Sequence, residues 1–172
     1  MKTLETDRLL LREWRESDAS GYFDLFKSPD VTNAGARVCE SVEEGREAVR
    51  AFIQSQESWA IVLQENDQLI GCITLEDIHR HDRYKELEYV IAAEAQNQGY
   101  ATEAVQRVLR YAFTELKLYI VAVCHYPDNL KSKRVIEKCG FTYEGTLRGY
   151  SRNLKDSVRY SMTREEWESR QR

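Results

Sequence analysis

Ala95-Gln96-Asn97-Gln98-Gly99-Tyr100-Ala101-Thr102-Glu103-Ala104 is the stretch on which the reading of this chain turns. Upstream of it, Tyr84 to about Ile91 has the composition of a strand. Downstream, Ala101, Ala104, Val105, Val108, Leu109, Ala112, Phe113 and Leu116 recur at i, i+3, i+4 and i+7, the apolar stripe of an amphipathic helix. The quoted residues are therefore a strand, a glycine-bearing turn and a helix N-terminus. The first N–H groups of a helix have no partner within it, and the helix dipole adds partial positive charge there. Such an end favours an anion, a pyrophosphate above all, and the small residues Gly99 and Ala101 let phosphate oxygens approach the backbone. A strand-to-helix turn with one glycine is also common in structures that bind nothing. The stretch is neither a GxxxxGK[ST] phosphate loop nor a GxGxxG dinucleotide pattern.

Working outward, Arg8–Trp14 reads as a first strand. Ser17 or Asp18 then caps a helix carrying Tyr22, Phe23 and Phe26. Ser41-Val42-Glu43-Glu44 has the form of a capping box, opening a helix with Ala48, Val49, Phe52 and Ile53 on one face. Trp59, Ile61 and Leu63 alternate as strand residues do, a turn at Glu65–Gln68 follows, and Leu69–Ile78 and Tyr84–Ile91 complete an antiparallel meander. After the long helix come a strand at Tyr119–Cys124 and a helix at Asn129–Cys139 closed by Gly140. Two more strands fill Phe141 to about Met162, and a short helix begins at Thr163. The expected order is β-α-α-β-β-β-α-β-α-β-β, an α+β chain with a mostly antiparallel sheet. No linker or repeat divides residues 1–172, which are expected to form one domain.

The bulk numbers agree. The 172 residues are 42% hydrophobic, 10% aromatic and 31% charged, as a folded domain with a solvated surface requires. No run of about 18 apolar residues is present, so no membrane span is expected. Acidic residues follow Met1 too soon for a secretory signal, and a cytoplasmic location is expected by default. The net charge of −4 argues against a nucleic-acid partner and suits a cationic acceptor. Cys39, Cys72, Cys124 and Cys139 are widely spaced and read as free thiols. His79 and His81 lie in a polar stretch with no third ligand at a suitable spacing, so no metal is expected.

Gln96-x-x-Gly99-x-Ala101 resembles the acetyl-CoA loop of the GCN5-related N-acetyltransferase (GNAT) superfamily. Gly99–Ala104 is similar to the form found in its ribosomal-protein N-acetyltransferase (RimJ/RimL-type) branch. Asn129-x-x-Ser132-x-Arg134-Val135-Ile136-Glu137-Lys138-x-Gly140-Phe141-x-x-Glu144-Gly145 resembles that branch's second signature. Leu4–Arg12 resembles its first strand, and Asp156 to Trp167 its ending. The resemblance covers nearly the whole chain.

It implies a GNAT-like sheet splayed between the fourth strand (Tyr84–Ile91) and the fifth (Tyr119–Cys124), with acetyl-CoA in the gap as co-substrate and no metal. By this resemblance, backbone groups of Val90 and Ile91 pair with the pantetheine arm. Gln96, Gly99, Tyr100, Ala101 and Thr102 surround the pyrophosphate, and a backbone N–H near Val90–Ala92 holds the oxyanion. Asn129 meets the pantetheine or acetyl end, or caps the next helix, or both. Ser132 takes the place of the general acid that protonates the CoA thiolate, although a helix-surface serine has the same sequence. Lys131, Lys133 and Arg134 either approach the 3′-phosphate or form a solvated helix face.

Glu86 and Glu88 share one side of their strand, opposite Leu87, Tyr89 and Ile91, and either could take the amine proton directly or through water. Glu86 matches an acidic position of the family. Glu88 stands where the branch has glycine, and Ser151 stands where some relatives carry an acid. The implied activity is acetyl transfer to a primary amine, first of all a protein N-terminal α-amine. The alternatives are a small amine such as spermidine or an amino-bearing antibiotic, and a non-catalytic acetyl-CoA-binding module. Relatives often pair as dimers, so a homodimer is the assembly to look for.

Overall fold

In the computed structural model, which describes residues 1–28, 31, 35–77 and 81–171, apolar alternation along successive strands builds a sheet with two unequal faces. The strands are β1 (Leu4–Glu5), β2 (Leu9–Arg12), β3 (Ser58–Leu63), β4 (Leu69–Glu76), β5 (Tyr84–Ile91), β6 (Ile120–His125), β7 (Thr142–Leu147) and β8 (Ser157–Thr163). The helices are α1 (Ala19–Phe26), α2 (Val42–Ser55), α3 (Tyr100–Thr114), α4 (Leu130–Cys139) and α5 (Arg164–Ser169). The eight strands are ordered β1-β2-β3-β4-β5-β6-β8-β7. All neighbours are antiparallel except β5 and β6.

This is the expected mostly antiparallel α+β sheet, with one strand more. The N-terminal run is broken by the turn at Thr6, whose N–H donates to the Leu9 carbonyl at 3.0 Å, so β1 and β2 replace one strand. The strands expected as fourth and fifth are therefore β5 and β6. Ile78, the expected end of the second meander strand, and His79 lie outside the described residues. Asp18 is not the side-chain cap of α1: its carboxylate accepts from the Arg15 N–H at 2.7 Å and from the buried Arg12 guanidinium at 2.8 and 2.9 Å. Removing one partner from so buried a pair would cost about 3–5 kcal/mol. Ser41 caps α2 through the Glu44 N–H, but the return bond from the Glu44 carboxylate goes to the Glu40 N–H, one residue earlier than a capping box requires.

One sheet face packs on α3 and α4. Leu11, Ile61, Ile73, Leu87, Val121, Val123 and Met162 meet Val105, Val108, Leu109 and Phe113 of α3 and Ile136 of α4. Full burial of each Val, Leu, Ile, Phe or Met side chain stabilises by roughly 1.5–3 kcal/mol. The other face carries Ala60 and Cys72 against Val49 of α2, Phe26 of α1 and Trp14. Trp14 stacks on Phe52 and meets Tyr22 edge-on, which seats α1 and α2.

The splay is visible in the ladder. β5 pairs with β6 from Tyr84–Ile120 to Leu87–Val123 and no further. Glu88 to Ile91 keep partners on β4 alone, while β6 continues to His125 paired with β8. A gap opens there, its floor set by the last shared pair. Among the described residues no helix is long and apolar enough to cross a membrane.

Candidate active site

The helix end that faces the gap is built as its sequence suggests. Asn97 and Gly99 have positive φ values of 62° and 85°, which turn the chain sharply out of a short 3-10 turn at Ala93–Ala95 and into α3. Gly99 is needed for its φ; a Cβ there would lie 3.3 Å from Arg8 Nη2, the far end of a long side chain. The first hydrogen bond of α3 runs from the Glu103 N–H to the Gly99 carbonyl at 3.0 Å. The N–H groups of Tyr100, Ala101 and Thr102 are thus the ones a helix start leaves without an intrahelical acceptor. With Gly99 they make the helix start at which an anion was expected. The Tyr100 ring packs beneath the Arg8 guanidinium, 4.4 Å from it.

Gln96 differs from a simple loop residue. Its Nε2 donates to the Ile91 carbonyl at 3.1 Å, and its Oε1 accepts from Lys131 Nζ at 2.8 Å, so it ties the end of β5 to the start of α4. Lys133 lies 3.8 Å from Glu137, and Arg134 is exposed.

The backbone groups of β5 sort by phase. The Val90 carbonyl is turned to β4, where a Cβ on Gly71 would be 2.2 Å from it, and the Ala92 N–H donates to the Ile70 carbonyl at 2.8 Å. The Ile91 carbonyl points the other way, to Gln96. Antiparallel pairing alternates in this manner along a strand. Val90 and Ala92 therefore do not offer the main-chain groups expected of them on the gap side; Ile91 does.

Side chains alternate in the opposite sense. Glu86, Glu88 and Val90 stand on the α1–α2 face beside their β4 partners Glu76, Thr74 and Cys72, whereas Tyr89 lies on the α3–α4 face. Across the gap Tyr89 reaches α4, where its hydroxyl is 2.9 Å from Ser132 Oγ. Burial pushes the Tyr89 hydroxyl well above its usual range, so it keeps its proton. Asn129 caps α4 by accepting from the Ser132 N–H at 3.1 Å, which fixes Ser132 at the rim of the gap.

The two glutamates separate sharply. Glu86 is buried: Tyr150 donates to it at 3.3 Å and Arg159 Nη1 lies 3.7 Å away. Arg159 also donates to Glu144 at 3.0 Å and to the Tyr84 hydroxyl, and Ser161 donates to Glu144 at 2.5 Å. Among the described residues Glu88 has no hydrogen bond and no ion pair. Its carboxyl is pushed up to about 7, first by burial, then by the like charges of Glu76 and Glu86, against the pull of Arg152. Glu76, its neighbour on β4, is raised for the same reason. Part of the Glu88 side chain is exposed to solvent.

Ser151, where an acid was conceivable, is a turn residue whose Oγ accepts from the Lys155 N–H at 2.9 Å. Among the described residues no cluster of His, Cys, Asp and Glu could hold a metal. His125 lies two residues past Val123 on β6, where the ladder would have faced Tyr89. Its ring Nδ1 is 2.6 Å from the Tyr126 carbonyl, and its Nε2 has no partner among the described residues. Sequence reasoning did not single out Tyr89, His125, Arg152 or Arg159. Only the opposite phase of Tyr89 and Glu88 on their strand signalled any of this.

A gap lined by a free strand edge, ending at a helix N-terminus, can hold an extended amide chain that ends in a pyrophosphate. Comparisons with known proteins agree. Residues 8–142 match the family model of the acetyltransferase (GNAT) domain. Over 153 residues the chain is 33% identical to the uncharacterized N-acetyltransferase YoaA of Bacillus subtilis, covering 86% of each. A GNAT-family acetyltransferase from Bacillus anthracis superposes with a TM-score of 0.88 at 26% identity, over 96% of this chain and 100% of that one. Spermidine N-acetyltransferase from Vibrio cholerae, in complex with CoA and spermine, gives 0.80 at 25% identity, over 94% and 99%. A ribosomal-protein-S5-alanine acetyltransferase from Vibrio fischeri gives 0.78 at 20%, over 97% and 99%, a likeness of fold alone.

Proposed function

The chain belongs to the GNAT acetyltransferase family and is an N-acetyltransferase that uses acetyl-CoA, and we propose that its acceptor is the α-amine of a protein N-terminus, deprotonated by Glu88. One observation carries this: the free edge of β5 places a carboxylate without a partner among the described residues on one face and the Tyr89–Ser132 hydroxyl pair on the other.

That arrangement suits direct transfer. Glu88, facing α1 and α2, takes a proton from the incoming ammonium, directly or through one water. The freed nitrogen lone pair forms the new N–C bond to the acetyl carbon. As the C–S bond breaks, Ser132 Oγ gives its proton to the departing sulfur and regains one from water, to which the acylated nitrogen loses its second proton; Tyr89 keeps its own proton at neutral pH and holds the Ser132 oxygen by a hydrogen bond. Gly99 and the first N–H groups of α3 hold the pyrophosphate, with Gln96 releasing the Ile91 carbonyl to the pantetheine arm. Glu86, held by Arg159 and Tyr150, shapes the acceptor wall instead of moving protons.

The choice of acceptor follows from proton energetics. An α-ammonium has a pKa of about 7.7–8.0, so handing its proton to a carboxylate with a pKa of about 7 is uphill by roughly one unit, ~1.4 kcal/mol. An alkylammonium near 10.4 makes the same step uphill by roughly three units, ~4–5 kcal/mol. A second reading, a small polyamine, is favoured by the acidic face of Glu76, Glu86 and Glu88 and by the spermine held by the V. cholerae relative. Cytoplasmic action fits the four free cysteines. A homodimer, frequent in the branch the sequence resembles, is part of the same proposal.

The test compares kcat/KM for a peptide with a free N-terminus and for spermidine, in wild type and Glu88→Gln, from pH 6 to 9. The proposal expects the peptide to be preferred and its kcat to rise with pH through about 7 in wild type only. Preference for spermidine would replace the α-amine with the polyamine. An unchanged profile in Glu88→Gln would remove Glu88 as the base.

A further inference from the structure

We propose that Arg8 is a positioning residue for the cofactor: it holds the Gln98–Gly99 peptide in the orientation that presents the Gly99 N–H to the pyrophosphate. The inference rests on the pyrophosphate lying at the N-terminus of α3. Arg8 lies just before β2 and far from the gap in sequence, yet its side chain reaches the first turn of α3. Nε donates to Glu103 at 2.8 Å, Nη2 lies 2.5 Å from the same carboxylate, and Nη1 donates to the Gln98 carbonyl at 2.9 Å. The planar guanidinium lies over the Tyr100 ring.

Glu103 is itself fixed. The Arg8 N–H donates to it at 3.0 Å and Thr6 Oγ at 2.6 Å. Partial burial works against its charge, but these bonds and the Arg8 charge outweigh that and hold its carboxyl below the usual range. The fork of Arg8 therefore has one edge anchored and the other free to grip Gln98.

A trans peptide is planar, with its C=O and N–H pointing in opposite directions. Drawing the Gln98 carbonyl outward to Arg8 turns the Gly99 N–H away from Arg8. No group among the described residues accepts from that N–H. The Arg8 charge is already matched by Glu103, so its effect reaches the phosphate through the peptide and not as an attracting charge. The fit around Gly99 supports this, because a Cβ at 99 would press on Nη2.

The experiment uses two acetyl donors, acetyl-CoA and S-acetylpantetheine, the second having no pyrophosphate. In Arg8→Gln the KM for acetyl-CoA is expected to rise about 10-fold or more with kcat within about twofold, the loss of a charge-assisted hold on one peptide. With S-acetylpantetheine, kcat/KM should stay near wild type. Arg8→Lys should behave like Arg8→Gln, because an ammonium lacks the fork. Glu103→Gln, which slackens the anchor, should show the same split more weakly, and it carries the test if Arg8→Gln does not fold. Equal losses with both donors, or none with either, would overturn the proposal, as would full activity in Arg8→Lys. Wild type using the two donors equally well would instead show that the pyrophosphate is not held at α3.

Discussion

The two sides of the gap are made differently. The proposed cofactor side is largely backbone from one short run: Gln96 to Thr102 turn through left-handed Asn97 and Gly99 and end as the N-terminus of α3. The proposed acceptor side is side chains gathered from distant strands. Glu76 comes from β4, Glu86 and Glu88 from β5, Arg159 and Ser161 from β8, and Tyr150 and Arg152 from the segment joining β7 to β8. A backbone site tolerates changes of side chain as long as its turn survives. A side-chain site can change its acceptor through single substitutions while the sheet stays intact.

Breaking the cofactor side should therefore abolish binding outright. Gly99→Leu puts a side chain at φ 85° and against Arg8, and acetyl-CoA Kd should weaken by about 100-fold or more in calorimetry, with circular dichroism unchanged. Next in size, Glu88→Gln should lower kcat by roughly 100-fold while acetyl-CoA Kd stays constant. If Glu88→Gln weakened acetyl-CoA binding instead, the division between the two sides would fail. Ser132→Ala should cost about 10-fold in kcat, less with a donor whose thiol leaves more readily, because a thiolate with a pKa near 8.5 needs little protonation. Tyr89→Phe should cost less than Ser132→Ala.

The smallest effect is on stability. Glu88 has its usual pKa in the unfolded chain and one raised to about 7 in the fold, so the folded state holds the extra proton between those values. Stability is thus highest below the unfolded value and falls as pH rises towards 7. Glu88→Gln removes that fall, and its Tm should exceed that of wild type slightly at pH 8 and match it at pH 4. A Tm lower than wild type at pH 8 would mean that the ionised carboxylate has a partner in the fold.

The same contrast explains what the sequence made legible. The turn at Gly99, the α3 stripe, the Asn129 cap and the Gly140 stop depend on neighbours a few residues apart, and each stands where its local chemistry places it. The splay was expected only through family resemblance, and β1 shifted the strand count without moving the gap. What stayed hidden depends on register between remote strands. Nothing near Glu86 announces Arg159, and only the β5–β6–β8 register, which sets Glu86 beside Ala122 and Arg159 beside Cys124, brings the two together. The expectation for Val90 and Ala92 failed for a related reason. Which strand residues turn their N–H to a neighbour is set by the ladder with β4, and that phase is absent from a single strand's sequence.

The most direct measurement is a calorimetric titration of the protein with acetyl-CoA, with no acceptor present, beside the same titration of Gly99→Leu. If the gap between β5 and β6 and the start of α3 form the cofactor site, wild type binds one equivalent with a Kd on the order of micromolar, and Gly99→Leu shows almost no heat. Folded wild-type protein that gives no heat at several hundred micromolar (about 100-fold above that Kd), or Gly99→Leu that binds as wild type does, would contradict it.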